Sequence, residues 1–92
     1  MNKNQAKTLL RHFAPGCIKL SKHCRKRMLE RNVTMDDILY VLMWGDVIEI
    51  KENIECQNWE CKVKGTDTDG NELFFLAALN EHERSVLCIT VY

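Results

Sequence analysis

Apolar residues at Ala6, Leu9, Leu10, Phe13 and Ala14 recur at i, i+3, i+4, i+7 and i+8, the spacing of one helical face, so a short amphipathic helix is expected from about Asn4 until Pro15-Gly16 ends it. An isolated helix of that length is marginal in water. This arm, residues 1–15, therefore needs its apolar face buried, either on residues 16–92 of its own chain or on a second copy. Ser21 reads as the N-cap of a second helix to about Asn32, and Thr34 as the N-cap of a third, with Asp36 and Asp37 in its first turn where the helix dipole favours acids. The third helix would turn Ile38, Val41, Leu42 and Met35 toward a core and end at Gly45.

After Gly45 the period changes to two. Val47, Ile48 and Ile50 begin a strand; Trp59, Cys61 and Val63 alternate with Glu60, Lys62 and Lys64 in the next. Asp67 to Asn71 is a turn cluster, Leu73 to Leu79 a continuous apolar run that suits a central strand, Asn80 to Arg84 a second turn, and Ser85 to Tyr92 a last strand. Helices first and consecutive strands after them predict an α+β domain: helices packed on one face of a four-stranded, mostly antiparallel sheet.

Length and composition narrow the class. Ninety-two residues make one domain, residues 16–92, preceded by the arm. The longest apolar run, seven residues from Leu73, falls far short of the ~20 that a membrane span requires. The lysine-rich start has no apolar stretch or cleavage site of a signal peptide, so a cytoplasmic location is expected. The five cysteines are an odd number with no Cys-x-x-Cys pair, and Cys56 and Cys61 would point to opposite faces of one strand; free thiols are expected, with neither metal nor other cofactor.

Charge changes the picture more than composition does. The formal net charge is zero, yet nine of the thirteen basic residues lie in the first 31 positions with Glu30 as the lone acid, and the remaining four face twelve acids. A local positive field of that kind points to a phosphate-bearing or acidic partner. On the second helix His23, Arg27 and Arg31 are spaced i, i+4 and i+8, beside the apolar line Leu20, Cys24, Met28. An imidazole there can move a proton near neutral pH, and a guanidinium one turn away can hold a phosphate in two-point contact, which outlines a metal-free phosphodiester site. Lys22, Arg25 and Lys26 point elsewhere on the helix and add a diffuse electrostatic patch. Lys62 and Lys64 share one face of a strand, and the Tyr92 hydroxyl could donate to a phosphate.

A plainer reading competes at each position. Rim arginines snorkel over core residues or pair with acids, of which the later strands carry twelve; Arg31, nearest the apolar stripe, would be the structural one. Lysines on an edge strand block sheet-to-sheet association, a terminal tyrosine packs, and Trp59 belongs to the core before it serves as a stacking platform.

The string Leu20-Ser-Lys-His23-Cys-Arg-Lys-Arg27-Met-Leu-Glu-Arg31, followed by Thr34-Met-Asp-Asp-Ile, Leu42-Met-Trp-Gly45-Asp-Val-Ile and Ile89-Thr-Val-Tyr92, resembles the small bacterial family known as domain of unknown function 4258, over about Lys19 to Tyr92. That family is similar in element order to the RelE-type toxins of toxin-antitoxin pairs, small metal-free ribonucleases. The resemblance implies a RelE-like fold, an RNA endonuclease with His23, Arg27, Arg31 and Tyr92 as its catalytic positions, and a small antitoxin protein as partner; the electrostatic reading adds Lys22, Lys26, Lys62 and Lys64 as RNA contacts. One departure matters: members often place a histidine on the strand that here reads Glu72-Leu-Phe-Phe-Leu, where this chain has Phe74 or Phe75. Neutral net charge and that missing histidine favour the alternative, a non-catalytic RNA- or protein-binding module. A third reading is a homodimer built through the arm or the edge of the sheet.

Overall fold

A computed structural model of the chain describes residues 1–92. Helix α1 (Lys3–Phe13) opens with a capping box in which the Asn2 side chain accepts from the Gln5 amide and the Gln5 side chain accepts from that of Asn2. Its face of Ala6, Leu10 and Phe13 is buried in the chain's own core. Strand β1 (Ile18–Leu20) follows, then α2 (Lys22–Arg31) and α3 (Met35–Trp44). Ser21 and Thr34 cap α2 and α3, accepting from Cys24 N and Asp37 N. Asn32 ends α2 in the left-handed conformation that asparagine tolerates better than most side chains.

Strands β2 (Asp46–Asn53), β3 (Asn58–Thr66), β4 (Glu72–Asn80) and β5 (Ser85–Val91) form an antiparallel meander, and the complete sheet runs β1-β5-β4-β3-β2 with the apolar β4 at its centre. The α+β arrangement follows the hydrophobic pattern, but the sheet has five strands where four were expected. The added strand, β1, pairs in parallel with β5 (Ile18 with Val86, Leu20 with Cys88), making the sheet mixed. Three residues are too few for alternation to register, and their pairing is fixed by a partner nearly seventy positions away.

The core lies between the helices and one face of the sheet, where Cys61, Val63, Leu73, Phe75, Ala77, Leu79, Val86, Cys88 and Val91 meet Ala6, Leu10, Cys24, Met28, Ile38, Val41 and Leu42. Met35, expected to face the core, is partly exposed and does not pack against it. Backbone approaches backbone where α3 enters the sheet: a Cβ on Gly45 would stand 2.5 Å from the Lys64 carbonyl oxygen and 2.6 Å from that of Val41, so only glycine fits. No helix is long and apolar enough to cross a membrane, and all five cysteines are free.

A second tie runs through Asp37, buried at the start of α3. Its Oδ2 accepts from the Thr34 backbone N–H (2.9 Å) and hydroxyl (3.0 Å), while Oδ1 accepts from the Thr68 N–H (3.0 Å) and hydroxyl (2.9 Å). These four bonds stabilise the ionised carboxyl and hold its pKa down to about 2. They fasten the β3–β4 turn to the head of α3.

Candidate nucleic-acid interface at helix α2 and the end of strand β5

Leu20 is the last residue of β1 paired to β5, so beyond Cys88 the outer edge of β5 would be left with free carbonyls. A bulge between the Leu76–Thr90 and Ala77–Cys88 pairs shifts the register there. Side chains from α2 then take the place of a strand. The Ser21 hydroxyl donates to the Ile89 carbonyl oxygen at 2.7 Å, and Arg27 Nε donates to that of Val91 at 3.3 Å. Cys24 and Met28 seal the helix against the core beneath.

That seating leaves the rest of α2 in water. Lys22, His23, Arg25, Lys26 and Arg31 are all exposed. Among the basic residues of α2 only Arg27 has an acidic partner, Glu30 of the same helix at 3.1 Å; the twelve acids of the later chain pair with none of them. The helix also has no acid in its first turn and begins with Lys22 and His23, so side-chain charge adds to the positive end of its dipole instead of offsetting it. Such placement is unfavourable for the helix alone and favourable for a bound anion.

Of the residues singled out from the pattern, His23, Arg27 and Arg31 do stand at successive turns of α2. His23 is exposed and makes no hydrogen bond to another side chain or to the backbone. The arginine with a structural bond is Arg27, where Arg31 was expected: Arg31 sits at the exposed last turn, whereas Arg27 reaches the carbonyl oxygen of Val91, beyond the stretch of β5 that β1 pairs with. Nε and one nitrogen of the fork are thereby engaged, and the remaining donors stay free.

Tyr92 follows Val91 directly and donates its backbone N–H to the Phe74 carbonyl oxygen at 2.9 Å. Its ring, partly exposed, lies under the Lys62 amine at 5.4 Å, and the Lys64 amine lies 5.6 Å from the Phe74 ring. Lys62 and Lys64 are therefore not edge residues: β3 is an inner strand, and both project from the sheet face that carries no helix. Lys64 also approaches Glu72 at 4.0 Å. Lys19, which the pattern left without a place, is exposed on β1 opposite Leu87 and adds a further charge next to α2.

The structure also separates the two phenylalanines of the segment Glu72-Leu-Phe-Phe-Leu. Phe75 is wholly buried in the core, while Phe74 belongs to the open face beside Tyr92. Trp59 is half-buried against the core and lines a groove of about 620 Å³ with Met1, Gln5, Leu9 and Glu81, which shares no residue with α2. None of the five principal grooves is lined by a residue of α2. No group of acidic, histidine and cysteine residues is arranged to hold a metal ion.

A family model described as domain of unknown function DUF4258 matches residues 20–92, from the start of α2's cap to the last tyrosine. The chain belongs to that family. Every residue of the α2 and β5 cluster lies inside the DUF4258 match, whereas α1 precedes it. No curated protein and no solved structure matches the chain.

Proposed function

We propose that this DUF4258 protein is an RNA-binding domain whose contact surface is the exposed side of α2, continued around the sheet edge by Arg27, Tyr92, Lys62 and Lys64. The observation that carries the reading is the isolation of the α2 cations: Lys22, Arg25, Lys26 and Arg31 have no acid within pairing distance in a chain that holds thirteen. A folded protein of zero net charge that leaves four cations of one helix exposed and unpaired retains a local field suited to phosphates. Tyr92 and Phe74 add ring faces on which unpaired bases could stack, favouring single-stranded over duplex RNA.

A second reading has its own support. His23 stands one turn from Arg27 with no partner to occupy it, so the imidazole is available as acid or base while the guanidinium holds a scissile phosphate. On this reading the protein is a metal-independent endoribonuclease. A RelE-like relationship would accompany it, in keeping with helices preceding antiparallel strands, and a small antitoxin would cover the same basic surface. The phenyl ring at position 74 and the absence of an orienting bond to His23 make binding the stronger of the two.

The test is chemical-shift mapping of the full chain with a single-stranded RNA oligonucleotide, paired with a cleavage assay in EDTA. Binding predicts shifts concentrated on α2 and at Lys62, Lys64 and Tyr92, with intact RNA. Cleavage lost in His23→Ala at unchanged circular dichroism would establish the nuclease instead. Absence of shifts on α2 would dismiss both.

A further inference from the structure

Strand β2 is the outermost strand of the sheet, and nothing in the fold pairs with its far edge. Proteins commonly shield such an edge with a bulge, with charged side chains or with a covering element. Here the irregularity lies near the beginning, between Val47 and Glu49, and from Glu49 to Asn53 the strand runs in unbroken register with Lys62 to Asn58. That regular stretch reads Glu49-Ile50-Lys51-Glu52-Asn53, with Glu49 and Lys51 exposed on the helix-free face and Ile50 turned toward the core side opposite Cys61. The two ends of the strand are flanked by Trp44 and Ile54, 71% and 79% exposed, exposures unusual for such side chains.

We infer that the β2 edge is a self-complementary surface that pairs antiparallel with the β2 edge of a second copy, about a two-fold axis through Ile50. The register follows from charge. In an isologous pair of this kind one residue meets itself, and its neighbours meet each other's counterparts. Centring on Glu49 sets Glu49 against the partner's Glu49, and centring on Lys51 sets lysine against lysine; like charges directly opposite are destabilising. Centring on Ile50 sets Glu49 against the partner's Lys51 at both ends of the contact and Ile50 against the partner's Ile50 on the core side.

The neighbouring strand extends the pattern. Within one chain Glu49 lies across from Lys62 and Lys51 across from Glu60. Joined about Ile50, the helix-free face carries an alternating row: Lys62, Glu49, the partner's Lys51, the partner's Glu60. The antiparallel arrangement brings the end of the strand at Ile54 toward the partner's Trp44 end, so the exposed side chains at opposite ends of β2 fall at the same ends of the contact. One arrangement thus satisfies the free backbone edge, the alternating charges and both exposed apolar residues, in the manner of strand addition to a sheet.

Sedimentation equilibrium on the full chain over a concentration series tests this, with a reductant present so that exposed Cys56 cannot crosslink two copies. The wild type should approach twice the monomer mass as concentration rises. Glu49→Lys and Lys51→Glu, both at exposed positions and checked by circular dichroism, should each remain monomeric, because each opposes like charges twice. An equimolar mixture of the two should dimerise again, since the variant edges are complementary to one another. A wild type that stays monomeric, a single variant that dimerises as the wild type does, or a mixture that fails to recover would overturn the proposal.

Discussion

Replacing Asp37 by asparagine should loosen the protein at a place no surface inspection would single out. The carboxylate accepts four hydrogen bonds, two from Thr34 and two from Thr68. An amide keeps the shape but presents one oxygen and one NH2 group, which faces the donors of one threonine with another donor. The depression of the carboxyl from 3.8 to about 2 corresponds to about 2.4 kcal/mol at ~1.36 kcal/mol per unit. Because the carboxyl, though almost wholly covered, lies close under the surface, water screens part of that, and about 1–2 kcal/mol is the expected share. Leaving one threonine's donors unmatched raises the total for Asp37→Asn to about 2–3 kcal/mol, or roughly 8–20 °C in Tm for a domain of this size.

The pH dependence carries the sign. A carboxyl whose folded pKa lies below its unfolded value stabilises the fold above pH 3.8, and that contribution is lost as pH falls toward 2. Urea unfolding of wild type and Asp37→Asn, compared at matched pH, should show a constant difference near neutrality that narrows between about pH 4 and pH 2. A difference below about 0.5 kcal/mol at pH 7, or one of unchanged size down to pH 2, would refute the reasoning.

Gly45→Ala should destabilise by about 1–3 kcal/mol, because the added carbon meets two backbone carbonyls that cannot yield, while Gly16→Ala, with nothing within 4 Å, should be near neutral; equal unfolding midpoints for the two would contradict this. Thiol alkylation of the native protein, read by mass spectrometry, should reach exposed Cys56 first and Cys17 later. It should spare Cys24, Cys61 and Cys88, which are buried, with burial pushing the Cys61 thiol up to about 12. Rapid native labelling of Cys61 would mean that the β3 core opens far more readily than its packing implies.

Much of the fold was legible because local chemistry and tertiary demand agree. Ser21 and Thr34 cap the helices they announce, Gly45 ends α3, and the unbroken apolar run of β4 lies at the sheet's centre, where both its neighbours are strands. What escaped depends on distant partners. β1 is defined by β5 and not by any period of its own. Asp37 reads as a first-turn acid, and nothing in its neighbourhood of sequence announces Thr68, 31 positions on. The structural duty of Arg27 exists because β5 bulges beyond the end of β1, a register event invisible along a single strand. The basic side of α2 was visible early for the converse reason: once Cys24 and Met28 face the core, the remaining positions of a ten-residue helix must face water.

The central claim, that unpaired cations of α2 engage RNA phosphates, is tested most directly by the salt dependence of affinity for a single-stranded RNA, measured by fluorescence anisotropy at several ionic strengths. With Lys22, Arg25, Lys26 and Arg31 neutralising phosphates at ~0.7 counterion released each, the account predicts that these four contribute roughly −3 to the slope of log K against log salt, which falls by about 0.7 for each of them replaced by alanine. A slope near zero, or one unchanged when all four are replaced in a protein that still folds, would contradict it.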